Sequence, residues 1–303
     1  MLIFAKNKLE NTIYDKISRG TNGIELHLNE DFIESNNYWN EEIINNVPIY
    51  VVHAPLINGG DTCIENINYR DTLTKTCEFA NKIAKVQRHE VLVVMHLGTS
   101  IHKLKSLDVY EAVKHRLMHL VELNEYVHIA IENVSRVHRN EDMVYVPHEI
   151  TFTDAASLVK DINHPRIGTC IDICHVMMDI KLMKTLRRHF GEDVIVNNIE
   201  LENGMDVMFQ ANKDVVKLIH FANCKKSGLG GGHGAPFTED DKDTVNDILN
   251  LYYQYGYTCP LTLEVIEQDY RFGENYTITK NTLEACLVNK SQSSKLLDET
   301  PKN

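Results

Sequence analysis

Short β-branched apolar runs alternate along the chain with longer stretches whose apolar residues recur every three or four positions. The runs Leu2–Ala5, Gly23–Leu28, Pro48–Pro55, Glu90–Leu97, Val127–Val134, Arg166–Ile173, Val215–Ala222 and Pro260–Val265 read as strands buried on both faces. Between them, Asn11–Arg19, Asp31–Asn45, Arg70–Arg88, Leu107–Tyr126, Thr153–Ile162, Gly204–Lys213, Asp241–Tyr255 and Ile278–Asn289 read as helices. Leu73, Cys77, Ala80, Ile83 and Ala84 mark the buried stripe of one helix. Val109, Val113, Leu117, Leu120 and Val121 mark that of the next. Strict alternation predicts a parallel sheet with helical crossovers. Eight such units in 303 residues predict an α/β fold closed as a (β/α)8 TIM barrel, a single domain over residues 1–289. A doubly wound open sheet competes, but it would carry a glycine-rich phosphate loop after its first strand, and none is present. The polar residues 290–303 are expected to form a disordered tail. Two long connections, 135–152 and 174–203, are expected to overhang the C-terminal mouth, where barrel active sites are built.

The strand ends carry ionisable residues at one level. Strand two holds Glu25 and His27, strand three ends in His53 and strand four in His96. Strand five ends in Glu132 and Asn133, and strand six in Asp172, with His175 three residues later. Strand seven ends in His220 and strand eight in Glu264. A lone strand-end histidine is satisfied by one hydrogen bond and needs no function. Successive strands that each deliver His, Asp or Glu are different, because ionised carboxylates out of water need partners and a metal ion satisfies several at once. Alternation puts Ala130 and His128 on the face of Glu132, Val94 and Leu92 beneath His96, and Cys170 and Gly168 beneath Asp172. His128 is therefore expected low in the barrel. His175 is out of phase with Asp172, so the chain must turn after the strand to bring it to the mouth. Lys225 and Lys226 follow His220 and are either solvated loop residues or binders of a substrate anion.

Composition narrows the classes. The net charge is −12, with 43% hydrophobic and 24% charged residues, as in a soluble globular protein. The acidic balance argues against a protein that coats nucleic acid. No stretch approaches the roughly 20 apolar residues of a membrane span, and MLIFAKNKLE lacks the basic start and apolar core of a signal peptide. The seven cysteines include no C-x-x-C pair and read as reduced thiols, so a cytoplasmic location is expected.

The segment RIGTCIDICH resembles the G-x-C-x-D-x-x-H motif of the xylose isomerase-like TIM barrels, which include endonuclease IV (AP endonuclease family 2) and many sugar isomerases and epimerases. HAPLIN, VVMHLG and IENV resemble strands three, four and five of endonuclease IV, and the resemblance covers residues 23–267. It implies that Glu132, Asp172, His220 and Glu264 bind a central metal and that His53 and His96, with the bridging Glu132, bind a second. His175 matches a ligand of a third zinc in endonuclease IV and a substrate contact in the epimerases. The Asp-x-His pair of that third site is missing, and GLGGGHGAPF stands there with His233 as its one ligand type. One to three ions follow, two being favoured, and mixed imidazole and carboxylate donors suit Zn²⁺ or Mn²⁺. The resemblance implies an isomerase or epimerase acting on a small sugar-like hydroxy-carbonyl substrate, with or without phosphate, through an enediolate. Glu132, Glu264 and His175 would be its catalytic groups. The alternatives are a hydrolase that cuts DNA at abasic sites and a non-catalytic metal-binding barrel. The oligomeric state is open.

Overall fold

The computed structural model describes residues 1–8, 10–29, 39–57, 60–61, 70–96, 107–135, 137–139, 145–147, 153–190, 198–225, 232–269 and 271–298. Eight strands close a parallel barrel: β1 (Ile3–Asn7), β2 (Gly23–His27), β3 (Ile49–His53), β4 (Val91–His96), β5 (Val127–Glu132), β6 (Ile167–Asp172), β7 (Val216–His220) and β8 (Leu261–Leu263). Around the barrel the order is β1-β8-β7-β6-β5-β4-β3-β2, each strand beside its sequence neighbour, with β8 returning to β1. Each predicted strand forms within a residue or two of its expected ends. β8 is the shortest. Pro260 has no N–H to give the ladder, so the strand begins only at Leu261, and Glu264 stands just past its last residue, Leu263.

The helices are α1 (Ile13–Ser18), α2 (Glu41–Asn46), α3 (Arg70–Gln87), α4 (Leu107–Leu123), α5 (Asp154–Ile162), α6 (Ile173–Phe190), α7 (Asn198–Asn212), α8 (Lys242–Gln254) and α9 (Glu274–Asp298). The expected stripes of α3 and α4 are buried against the barrel, with Val109 partly covered. Of the predicted 31–45 helix, α2 carries the part from Glu41. Asn40 caps it by accepting from Ile43 N at 3.1 Å, and 30–38 lie outside the described residues. α9 carries the chain as helix through the 290–298 stretch that was expected to be tail, and 299–303 lie outside the described residues. No described helix is long and apolar enough to cross a membrane.

The 174–203 stretch, expected as an overhanging connection, is mostly helical. α6 starts directly after β6, and Val176, Ile180 and Met183 recur at i, i+4, i+7 against the core. The charged residues interspersed with this stripe hid a period that packing reveals. α7 contains a non-helical residue at Asn203, and the sequence pattern detects only the part beyond it. Part of the 135–152 stretch also has structure, an antiparallel ribbon pairing Val137–Arg139 with Tyr145–Pro147. A second ribbon pairs Leu56–Ile57 with Gly60–Asp61 after β3.

Inside the barrel, Phe4, Val51, Val94, Ala130, Cys170 and Leu218 form one buried apolar layer. Two residues further along each of those strands stand Lys6, His53, His96, Glu132, Asp172 and His220. The period-2 alternation therefore stacks a ring of ionisable side chains on an apolar floor at the C-terminal end.

Candidate metal centre

Strand register sets the ring. His96 is opposite Glu132, Asp172 is opposite His220, and Lys6 is opposite Glu25. One ligand atom each from Glu132, Asp172, His220 and Glu264 lies within 4.8 Å of all the others, and a second such group is His53, His96 and Glu132. His53 Nε2 is 3.1 Å and His96 Nε2 is 3.4 Å from Glu132 Oε2. His220 Nδ1 is 2.6 Å from Glu264 Oε2, 3.4 Å from Glu132 Oε2 and 4.0 Å from Asp172 Oδ2. Glu132, Asp172 and His220 are buried.

The imidazoles are oriented by their outer nitrogens. His53 Nδ1 donates to the Ala54 carbonyl at 2.8 Å, which fixes the ring with Nε2 3.1 Å from Glu132 Oε2. His220 Nε2 donates to Glu25 Oε2 at 3.1 Å, which turns Nδ1 inward. His175 lies on the first turn of α6. Its amide donates to Asp172 Oδ1 at 2.7 Å, so the carboxylate sits at the positive end of the helix. The His175 ring donates from Nδ1 to the Asn133 carbonyl at 2.8 Å. Asn133 in turn accepts from Asp172 N at 2.7 Å and donates to Asp172 O at 3.2 Å, tying β5 to β6. The turn needed to bring His175 to the mouth is thus the start of α6.

Burial alone would raise Glu132, yet His220 and His96 hold it well below the usual carboxylate range. Burial also opposes ionisation of Glu264, which Lys6 and His220 lower in the same way. Burial disfavours a charge on His220, but Cys170, Glu25, Glu264 and Glu132 raise it well above its ordinary value. His220 Nδ1 and Glu264 Oε2 are buried and make no aligned hydrogen bond although they are 2.6 Å apart. Two converging donor atoms left in that state are what a shared cation would satisfy, so the residues fit a divalent ion.

Two members of the ring were not singled out from the sequence as site residues. Glu25, left open there, is fully buried against His220. Lys6 was overlooked. Its Nζ donates to Glu264 Oε1 at 2.5 Å and lies 3.7 Å from Glu25 Oε1. Burial works against its charge, but Glu264, Glu25 and Glu132 together raise its ammonium. The available signal was its place at the end of strand one, level with the histidines. His27 touches the ring only at its edge, with its imidazole 5.3 Å from that of His53, and burial, Lys6 and His53 depress it to about 2. His128 lies low in the barrel as expected, with Nε2 3.1 Å from Glu90 Oε2. His233 does reach the mouth. Its Nε2 is 3.2 Å from Asp172 Oδ2, its ring lies 4.8 Å from that of His175, and Asp172 outweighs burial to raise it to about 9. Lys225 turns away to Asp241 Oδ2 at 3.0 Å and Thr238 Oγ1 at 3.1 Å, and Lys226 lies outside the described residues.

A model of the xylose isomerase-like TIM barrel family matches residues 31–285. No curated protein matches the chain. Among solved structures it is similar to 3-keto-D-glucoside 4-epimerase from E. coli, at 15% identity over 95% of this chain and 99% of that chain, with a TM-score of 0.58. L-ribulose 3-epimerase is similar at 11% identity over 100% of both chains, with a TM-score of 0.60. A probable 3-DHS dehydratase from Bacillus anthracis is similar at 12% identity over 94% and 98%, with a TM-score of 0.58. At such identities the likeness shows the fold alone.

Proposed function

The chain belongs to the xylose isomerase-like TIM barrel family, and from that premise we propose that it is a divalent-metal-dependent isomerase or epimerase of a small, sugar-like hydroxy-carbonyl compound. The observation that carries this reading is the convergence of Glu132, Asp172, His220 and Glu264 on one point at the barrel mouth. These four would hold the ion, with His53 and His96 against the same Glu132 oxygen that His220 approaches. Zn²⁺ or Mn²⁺ suits the donors. A bound divalent ion supplies Lewis acidity toward adjacent substrate oxygens.

The chain's own residues do the rest. Glu132 on β5 and Glu264 after β8 reach the centre from walls three strands apart. Both are kept ionised and so are able to accept a proton from the carbon beside a carbonyl. Glu264 gives Oε1 to Lys6, which leaves Oε2 for the centre. His175, with Nδ1 committed to a backbone carbonyl, presents Nε2 for a substrate oxygen. The fully buried Glu25 keeps His220 aimed.

A phosphodiesterase acting on abasic DNA is the second reading, favoured by His53 and His96 against Glu132. The engagement of Lys225 with Asp241 counts against it, because phosphate contacts dominate DNA affinity. The test is to load purified protein with Zn²⁺ or Mn²⁺ and offer a panel of ketoses and aldoses and, separately, an abasic-site duplex. Sugar interconversion lost in Glu132→Gln supports the proposal. Strand cleavage that depends on His96 overturns it, as does a Glu132→Gln variant that keeps its metal and its turnover. A protein that retains no ion and gains no activity from either metal belongs to the non-catalytic class.

A further inference from the structure

We propose that the N-terminal end of the barrel, opposite the ring of ionisable side chains, binds a second small molecule, a ring-bearing monocarboxylate. A cavity of about 490 Å³ opens there between the starts of β1, β3, β4, β5, β7 and β8. A second, of about 590 Å³, lies between the end of α5 and the starts of β6 and β7, and shares Asp214, Val216 and Lys217 with the first. Barrel interiors are filled by layers of side chains, and this end of the fold serves stability, so packing does not call for such a space. Its size falls in the range of roughly 300–1,000 Å³ of small-molecule sites.

The inner wall is apolar and held in place. Phe4 and Val51 belong to the layer that floors the ionisable ring, and Tyr50 and Leu92 pack against that layer. Tyr50 stacks on Phe4, with centroids 5.3 Å apart, and on His89, at 4.5 Å. A flat ring buries its faces on such a wall with little ordering cost. Two polar groups lining the same cavity lack partners. His128 Nε2 is buried and makes no aligned hydrogen bond, although Glu90 Oε2 lies 3.1 Å away. Lys217 is half-buried, and its Nζ donates to the Pro165 carbonyl at 2.8 Å, which leaves two of its three donors. Among the described residues Glu90 is the one acid that acts on this ammonium, against the lowering effect of burial. A carboxylate, with two acceptor oxygens, can serve both Lys217 and His128. The charge count agrees. Lys160, Lys213 and Lys217 face Glu90 and Asp214 across the two cavities, and burial lowers His128 and His164, so that both imidazoles are uncharged near neutral pH. One negative charge balances the set. A dianion such as a phosphate ester would exceed it beside Glu90 and Asp214.

The proposal goes beyond the isomerase reading and does not depend on it. The test is calorimetric titration of the full chain with cinnamate and, separately, with cinnamyl alcohol, which keeps the ring and loses the charge. Cinnamate is expected to bind at one site per chain, at least tenfold more tightly than the alcohol. Lys217→Met should weaken cinnamate at least tenfold and leave the alcohol within twofold. Asp214→Asn, in the exposed turn from α7 to β7, should tighten cinnamate at least twofold, and it keeps the test decisive should Lys217→Met fail to fold. A wild type that binds no cinnamate at millimolar concentration overturns the proposal, as does one that binds acid and alcohol alike. Cinnamate affinity indifferent to Lys217→Met or to Asp214→Asn also overturns it. So does binding lost in Glu132→Gln, which would put the carboxylate at the opposite end of the barrel. A chain that isomerises nothing would still bind cinnamate, so the two proposals fail separately.

Discussion

Replacing Lys6 with Met should destabilise the metal-free protein and at the same time tighten its hold on a divalent ion. Lys6 is the cation that offsets Glu264, at 2.5 Å, and Glu25, at 3.7 Å. At an effective dielectric of about 20 these attractions are about 7 and about 4 kcal/mol before the cost of desolvating the charges. Breaking a buried pair by removing one partner costs about 3–5 kcal/mol, and Glu25 is fully buried. A chain of this size should lose about 5–8 °C of melting temperature in its metal-free form. A divalent ion then becomes the remaining counter-charge, and Glu264 regains the oxygen that Lys6 occupied. Metal affinity should therefore rise at least tenfold, and the gap between metal-free and metal-loaded melting temperatures should widen. Thermal unfolding with chelator and with saturating Zn²⁺, together with competition against a chromophoric chelator, measures both. If the metal-free variant melts within 2 °C of wild type, or binds metal more weakly, Lys6 is not the internal counter-ion of this centre.

Glu25→Gln keeps the hydrogen bond to His220 but removes its charge; metal affinity by the same competition assay should fall about 10–100-fold. Gly168→Ala should cost about 1–3 kcal/mol by denaturant unfolding, because a Cβ there would meet the Val215 carbonyl oxygen at 2.5 Å and Lys217 Cγ at 2.6 Å. Asp15 is lowered from its ordinary range first by its hydrogen bonds from Arg19, against the pull of burial, with a further bond from Gly273 N at 2.7 Å. Its contribution is present above the unfolded carboxyl value, about 3.9, and is lost as pH falls through the lower folded value. Asp15→Asn should therefore be about 1 kcal/mol less stable at pH 7, and the two melting curves should converge as pH drops below about 4.

The barrel was legible because two periods are written in the chain. Strands buried on both faces show as short apolar runs, and the helices that cover them show as stripes such as Leu73–Cys77–Ala80. The ring of ionisable side chains at the mouth was legible for a related reason. An ionisable residue at the end of an apolar run is visible without knowing the fold, and Glu132, Asp172, His220 and Glu264 were all expected where they meet. Elements whose signal is mixed were not legible. α6 interleaves Lys and Arg with its buried stripe, α7 contains a non-helical residue at Asn203, and the ribbon 137–139 with 145–147 is too short for a pattern.

Sequence alone thus determined the barrel and which side chains rise to its mouth, since both follow from local alternation along each strand. Contacts between strands far apart in the chain were decided only by closure. Lys6 and Glu264 are 258 residues apart, and Glu25 and His220 are 195 apart, yet each pair is in direct contact. Sequence spacing carries no trace of such pairs, because β1 meets β8 only when the sheet closes. The same holds for His233, which reaches Asp172 through a turn set by the Asn223–Ala235 bridge and a left-handed glycine. Local chemistry chose the ionisable side chains at the mouth, and tertiary closure chose what balances their charge.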